Sequence, residues 1–248
     1  MKIATWNVNG IRARQEQVLA WIEREAPEVV CLQETKASPE HVPAALFELG
    51  GYWCYWHGNK GYSGVALLVR KSFSAEKPVF RHPAFDMENR IVLASIGGVT
   101  VASVYVPNGG KDFNAKMQFL TAVNHFVAEF KGTAESLILC GDLNVAHRPM
   151  DVHPKERKEV IGQLPIERAM LDGILAHGLA DLGREMAPTD EGLFTWWAPW
   201  REMRKRNIGW RLDYVYASRR LAEKAISCRV EAEVGTSDHA PVVAVFGA

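Results

Sequence analysis

Six places in this chain carry side chains able to hold a cation, bind a phosphate or move a proton, and each lies at the end of an apolar run. Asn7 follows IATW, Glu34 follows VVCLQ, Tyr105 follows VASV and Asp142 follows LILCG, so each marks the C-terminal end of an expected strand. Asp213 and the pair Asp238-His239 instead precede the runs YVYA and VVAVF. If these two strands run opposite to the first four, all six places meet at one edge, which is the geometry of an active site. Asp142 and Asn144 are two residues apart and project to the same side of extended backbone, as a shared metal or phosphate contact requires. Asp238 and His239 are neighbours and would diverge in a regular strand, so they serve one site only on an irregular turn, which Gly235-Thr236-Ser237 supplies. Each residue alone has a plainer explanation: Asn7 closing a turn, Glu34 capping the next segment, the Asp-His pair lying on the surface. The joint pattern carries the inference, helped by the cost of burying an unpaired carboxylate directly after an apolar strand.

The elements that must position these groups are short β-rich runs alternating with longer amphipathic segments. Strands are expected at Lys2 to Trp6, Glu28 to Leu32, Trp53 to Trp56, Val65 to Val69, Ile91 to Ile96, Val99 to Val104, Ser136 to Leu139, Tyr214 to Ala217 and Val242 to Phe246. Helices are expected at Gln15 to Glu25, Pro39 to Leu49, Asn114 to Lys131 and Pro165 to His177, with Ser38 as an N-cap signal before Pro39. Gly97-Gly98 between two of the strands demands an antiparallel hairpin, so the sheet must be mixed. This many strands fit poorly in one sheet, and two packed sheets with helices outside them is the expected α/β layering.

At 248 residues and 48% hydrophobic content the chain can bury a large core, and no repeat, low-complexity stretch or linker divides it; one domain spanning 1–248 is expected. The 29 basic and 29 acidic residues cancel, so affinity for a polyanion must come from a local patch. Cys31, Cys54, Cys140 and Cys228 lie far apart with no CxxC pair, and read as reduced core residues rather than zinc ligands. The start MKIATWNV lacks a basic-then-apolar secretory pattern and no run is long enough to span a bilayer, so a cytoplasmic protein without membrane contact is expected. With no heptads, a monomer is the expected state.

At WNVNG (6–10), LQETK (32–36), GYSGVA (61–66), YVPNG (105–109), GDLNVAH (141–147), GWRLDY (209–214) and SDHAPV (237–242) the chain resembles the exonuclease III type of abasic-site (AP) endonuclease, within the endonuclease/exonuclease/phosphatase superfamily. The motifs come in the family's order from the first strand to the last. The resemblance implies a four-layer αββα sandwich of the DNase I-like kind, two packed mixed β-sheets flanked by helices, with the site at one sheet edge. It implies Mg²⁺ as cofactor, with Mn²⁺ as a substitute, held principally by Glu34 with Asn7 and Asp238; Asp142, Asn144 and His239 would form a second metal site if one exists. Asp142 would orient or deprotonate the attacking water, Asn144 would hold a phosphate oxygen and Tyr105 would hydrogen-bond the phosphate or leaving oxygen. His239, oriented by Asp213, would contact the scissile phosphate as donor or base. The resemblance leaves open which of Asp142 and His239 is the general base.

Phe194 to Tyr214 concentrates four of the eight tryptophans among basic residues. Indoles suit a deoxyribose that lacks its base, and flanking cations suit phosphates. By resemblance Trp196, Trp210 and Leu212 line a pocket for the flipped abasic sugar; Asn108 is expected on the substrate side, and as flanking cations Arg204, Lys205 and Arg206 are expected to reach the DNA backbone. The chain departs from the family at three places: Asn9 stands where some relatives have Asp, Lys111 where the human-type enzyme inserts an arginine, and Trp200 near that enzyme's methionine. The expected partner is double-stranded DNA carrying abasic sites or 3′ ends. Two other readings remain: a phosphoinositide or phospholipid phosphodiesterase or phosphatase of the same fold, and a DNA-binding module without catalysis. The tryptophan-rich segment weighs against the first, and the intact acidic cluster against the second.

Overall fold

The apolar runs assemble into two six-stranded sheets in a computed structural model that describes residues 1–42, 47–48 and 50–247. The first sheet holds β1 (Lys2–Asn7), β2 (Val29–Gln33), β3 (Tyr52–Asn59), β4 (Tyr62–Arg70), β11 (Ala225–Val230) and β12 (Val242–Phe246), in the order β11-β12-β1-β2-β4-β3. The second holds β5 (Phe80–Arg81), β6 (Ile91–Ile96), β7 (Val99–Tyr105), β8 (Ser136–Asp142), β9 (Leu179–Asp181) and β10 (Asp213–Ser218), in the order β5-β6-β7-β8-β10-β9. Both sheets are mixed: β1 runs parallel to β2 and β7 parallel to β8, while β12 is antiparallel to β1 and β10 antiparallel to β8.

The sheets pack face to face through Ile3, Cys31, Leu67, Val101, Ile138 and Val215. Helix α1 (Ile11–Glu25) covers the outer face of the first sheet, with Val18, Trp21 and Ile22 against Trp6, Leu32 and Leu68. Helices α2 (Phe113–Ala128) and α3 (Pro165–Leu175) cover the second, where Phe119, Leu120, Val123 and Leu171 meet Leu137, Leu139 and Tyr216. VVCLQ reads as an unbroken apolar run because both its faces are covered: Val29 and Cys31 point to the opposite sheet, Val30 and Leu32 to α1. Helix α1 stops where Ala26 turns left-handed and its N–H closes on the Ile22 carbonyl, ahead of Pro27. Helix α2 begins on Asp112, whose carboxylate accepts the Ala115 N–H at 2.9 Å.

The nine expected strands and three of the four expected helices form. The segment Pro39 to Leu49 shows one 3₁₀ turn at Pro39–His41, after which the expectation falls partly on residues 43–46 and 49, outside the described residues. Ser38 makes no cap bond there; its hydroxyl meets His41 instead. Three strands escaped the sequence reading. Two of them, β5 and β9, span only two and three residues. The third, β11, is an edge strand with no fully buried residue, so it lacks the alternation that a half-buried strand writes into sequence. Two short helices, α4 (Leu182–Met186) and α5 (Arg219–Ala222), were likewise unmarked.

Candidate active site

Strand register delivers the polar groups to one edge. Tyr105 on β7 pairs with Asp142 on β8, and Asp142 pairs with Asp213 on β10, so three functional side chains form one row across three strands. The row depends on Gly141: its φ is +146°, and a Cβ there would lie 1.9 Å from the Val104 carbonyl oxygen, so only glycine lets β8 approach β7 immediately before Asp142. On the other sheet Asn7 ends β1 and pairs with Gln33, the residue before Glu34. Beyond the strand ends the backbone turns left-handed at Asn9, Glu34, Lys36 and Asn144. Non-glycine residues enter that region at a cost of about 1–3 kcal/mol each, and its concentration at one edge marks a site held in place by its surroundings.

Hydrogen bonds join the groups. The Asn7 amide donates to Glu34 Oε1 at 3.0 Å and to Asp142 Oδ2 at 2.9 Å, linking the two sheets. The Tyr105 hydroxyl donates to Glu34 Oε1 at 2.9 Å, and Lys36 Nζ lies 2.6 Å from Glu34 Oε2. Asn144 donates its amide to the Val106 carbonyl at 2.9 Å and to Asp142 Oδ2 at 3.1 Å, while its backbone N–H reaches Asp142 Oδ1 at 2.9 Å. His239 Nδ1 lies 2.8 Å from Asp213 Oδ2, and its Nε2 faces Asp142 Oδ2 at 3.8 Å. Beneath the site the sheets are bridged again: Thr5 Oγ1 donates to Gln33 Oε1, and Gln33 Nε2 to Ser103 Oγ, both at 3.1 Å.

These contacts set the charges. Burial pushes Asp142 up to about 7, reinforced by the Asp213 and Glu34 carboxylates and opposed by His239. Burial alone would lower His239, but the Asp213 and Asp142 carboxylates hold it as imidazolium, up to about 10. Glu34 is desolvated too, yet donors from Asn7 and Lys36 keep it below the ordinary carboxylate range. Burial and the adjacent Glu34 and Asp142 keep the Tyr105 phenol protonated, a donor at any working pH. A ring nitrogen of His239 and carboxylate oxygens of Glu34 and Asp142 lie within 4.8 Å of one another. Several carboxylates crowded at one edge, with Glu34 and Asp213 helping to raise Asp142 and with Asp213 Oδ1 buried and unpartnered, fit a hard divalent cation.

Beside this cluster lies a cleft of about 390 Å³ lined by Trp196, Trp210, Leu212, Asn144, Ile161 and His239. The two indoles meet edge to face at 5.6 Å. Asn108 lines this cleft and, with Lys111, Lys36 and Arg90, a second of about 590 Å³ on the far side of Glu34 and Tyr105. Thus Asn7, Glu34, Tyr105, Asp142, Asn144, Asp213, Asp238 and His239 come together, with Trp196, Trp210 and Leu212 alongside. Trp200 lines neither cleft and stands 60% exposed on the surface. Arg204 departs from its expected DNA-facing role: its guanidinium donates to the carbonyls of Ala232, Val234 and Ser237 at 2.7–2.9 Å and lies over the Trp197 ring. It braces the turn that carries Asp238 and His239.

The sequence reading missed three contributors. Thr195, in a segment singled out for its tryptophans, donates to Asp213 Oδ2 at 2.6 Å and so shares the carboxylate that holds His239. Arg90 is buried between the rings of Tyr62 and Tyr105. Lys116 is fully buried on α2, where it pairs with the equally buried Glu167 and donates to the Asn144 carbonyl at 2.8 Å. Glu167 accepts from the N–H groups of Gly162 and Leu164 at 2.7 and 3.0 Å, so this pair ties together loops on two sides of the indole cleft. Lys116→Met strands a buried carboxylate and is expected to destabilise the protein by about 3–5 kcal/mol. Urea denaturation reads this directly; an unchanged midpoint would mean that the pair contributes no net ion-pair stabilisation.

Residues 4–239 match the Endonuclease/Exonuclease/phosphatase family. The chain is 35% identical to an exodeoxyribonuclease of Bacillus subtilis over 253 residues, covering 98% of each protein. It superposes over the full length of both chains on an AP endonuclease from Archaeoglobus fulgidus, with a TM-score of 0.90 and 31% identity. A 3′ phosphatase from Neisseria, solved bound to a product DNA hairpin, superposes equally completely with a TM-score of 0.91 and 33% identity. The chain belongs to the endonuclease/exonuclease/phosphatase family and is a phosphodiester hydrolase of the exonuclease III/AP endonuclease type. No helix among the described residues is long and apolar enough to cross a membrane.

Proposed function

We propose that this protein is a Mg²⁺-dependent DNA repair nuclease that cleaves the phosphodiester 5′ to abasic sites in duplex DNA, with 3′-to-5′ exonuclease and 3′-end-processing activity. The observation that carries this reading is the indole-lined cleft whose wall includes Glu34, Asn144, Asp238 and His239, with Asp142 3.8 Å behind His239. An apolar wall beside a phosphate-handling cluster suits a sugar without its base, whose extrusion from the helix costs least. Glu34 would hold the cation with Asn7 and Asp238 in support; when bound, Mg²⁺ would polarise the phosphate and offset the charge that develops on it.

The chain's own residues divide the proton work by their charges. Asp142, raised to about 7, is a carboxylate poised to take a proton from water near neutrality. His239, kept cationic by Asp213, suits a donor to a non-bridging phosphate oxygen rather than a base. Tyr105, held neutral, donates to the phosphate or the departing 3′ oxygen. Asn144 would turn its amide to a phosphate oxygen, and Asn108 and Lys111 would meet the backbone in the second cleft.

The test is a duplex with one abasic analogue beside an intact duplex, each incubated with Mg²⁺ and with EDTA. A single Mg²⁺-dependent cut 5′ to the lesion is expected, abolished by EDTA. A ladder from the 3′ end would instead make exonuclease action the main activity. If neither duplex is cut under Mg²⁺ or Mn²⁺, the DNA assignment fails and phosphoinositide and phospholipid substrates come next.

A further inference from the structure

Trp196 does more than wall the cleft. Its indole N–H donates to Asp238 Oδ2 at 3.0 Å, and the other oxygen of that carboxylate accepts from Asn9 Nδ2 at 2.9 Å. Asn9 Oδ1 in turn accepts from Lys36 Nζ at 2.7 Å, and the same ammonium lies 2.6 Å from Glu34 Oε2. An unbroken chain of contacts therefore runs from the cleft wall to the cation-site carboxylate: Trp196, Asp238, Asn9, Lys36, Glu34. The backbone reinforces the near end, because Trp196 exchanges hydrogen bonds with Trp210 and the Trp197 N–H donates to the Asp238 carbonyl at 3.0 Å. Asn9 and Lys36 also hold left-handed backbone, a costly conformation that persists only where the surroundings fix it.

We propose that Trp196 is a specificity-coupling residue: its ring senses what fills the cleft, and its N–H fixes Asp238 and, through Asn9 and Lys36, the orientation of Glu34. A phenylalanine would supply a similar apolar wall but no donor, so the indole nitrogen is the distinguishing atom. Partners that orient a metal ligand are worth roughly tenfold to a hundredfold in affinity or activity when removed. The departure at Asn9 acquires a reason here: an amide can accept from Lys36 and donate to Asp238 at once, whereas an ionised carboxylate could not donate. The inference rests on the proposed nuclease reading for the cleft's occupant, but the relay can be tested without DNA.

Trp196→Phe and, separately, Asn9→Ala should each weaken Mn²⁺ binding to the DNA-free protein, measured by electron paramagnetic resonance of free Mn²⁺, by about tenfold. The double variant should lose little more than either alone, because both break one chain. Near-UV circular dichroism checks that each variant is folded. On DNA, Trp196→Phe should also narrow the ratio of abasic-site cleavage to 3′-end trimming by at least threefold. Mn²⁺ affinity within twofold of the parent, or tightened, in folded Trp196→Phe overturns the relay, as do fully multiplicative losses in the double variant. If the parent protein cuts no abasic duplex while the Mn²⁺ results hold, the substrate reading fails and the relay stands.

Discussion

Replacing Asp142 with asparagine will slow single-turnover cleavage by about 10²–10⁴-fold, the usual worth of a positioned general base. The substitution is nearly isosteric, and its amide oxygen can still accept the backbone N–H of Asn144 that Oδ1 accepts now, although the new amide nitrogen no longer accepts from the Asn7 and Asn144 side chains. What disappears is the one carboxylate that burial and neighbouring charges lift to about 7. Duplex affinity should be equal or better, since one negative charge facing a polyanion has gone. The decisive comparison is the cleavage rate at saturating enzyme set beside the dissociation constant from anisotropy at the same salt. A variant that cuts within tenfold of the parent would remove Asp142 from proton transfer and shift that role to His239.

Asp151→Ala is expected to lower stability by about 3–5 kcal/mol, its largest effect, with the catalytic groups left in place. Asp151 is fully buried; Oδ1 meets Arg184 at 2.6 Å and Arg211 at 2.8 Å, and Oδ2 accepts the Arg148 N–H at 2.8 Å. Arg211 also clasps Asp181 through two bonds of 2.7 and 2.8 Å. Removing Asp151 leaves two guanidinium groups buried around one remaining carboxylate, and for a chain of this size the melting temperature should drop on the order of 10 °C. The pH dependence has a definite sign. Burial would raise the Asp151 carboxyl, but Arg211 and Arg184 more than offset this and hold it below the ordinary carboxylate value. Its stabilisation is therefore complete above the unfolded-state pKa and lost as pH falls through the lower folded-state value. The stability gap between the parent and Asp151→Asn should stay constant from pH 7 to pH 5 and close only below about pH 4. A gap that closes between pH 7 and pH 5 would show that Asp151 is not held ionised by its arginines.

Both experiments bear on one segment. Arg211 stands between Trp210 and Leu212, two residues of the indole cleft, and its N–H donates to the Asp151 carbonyl at 2.8 Å. The buried charge cluster thus anchors the strand entry from which the cleft wall and Asp213 both project. Loss of Asp151 should show first as lost stability and only secondarily as poorer discrimination between abasic and intact ends.

The apolar runs, their alternation and the polar residues at their ends were legible in the chain itself, because strand period and burial are local properties that each segment states alone. That is why Asn7, Glu34, Tyr105, Asp142 and Asp213 could be placed at strand termini, whereas the opposed directions of β10 and β12 stood only as the condition for bringing them to one edge. Pairing across the fold is not local. Tyr105, Asp142 and Asp213 share a row only because β7, β8 and β10 pair in one particular register, and a shift of one residue would turn their side chains to the opposite face. Lys116 meets Glu167 only because α2 and α3 pack side by side, and Arg211 meets Asp151 only because segments 60 residues apart close on each other; nothing in either segment's composition names its partner. Arg204 shows the converse: a basic run that reads as a DNA-facing patch contributes one member to bracing a turn, because its guanidinium found three carbonyls within reach once the chain had closed. The kinds of chemistry available were thus set by residue type and strand period, whereas the partners that charge, orient and stiffen those residues were decided by tertiary contact, since hydrogen bonds and ion pairs depend on distances that only the closed fold creates.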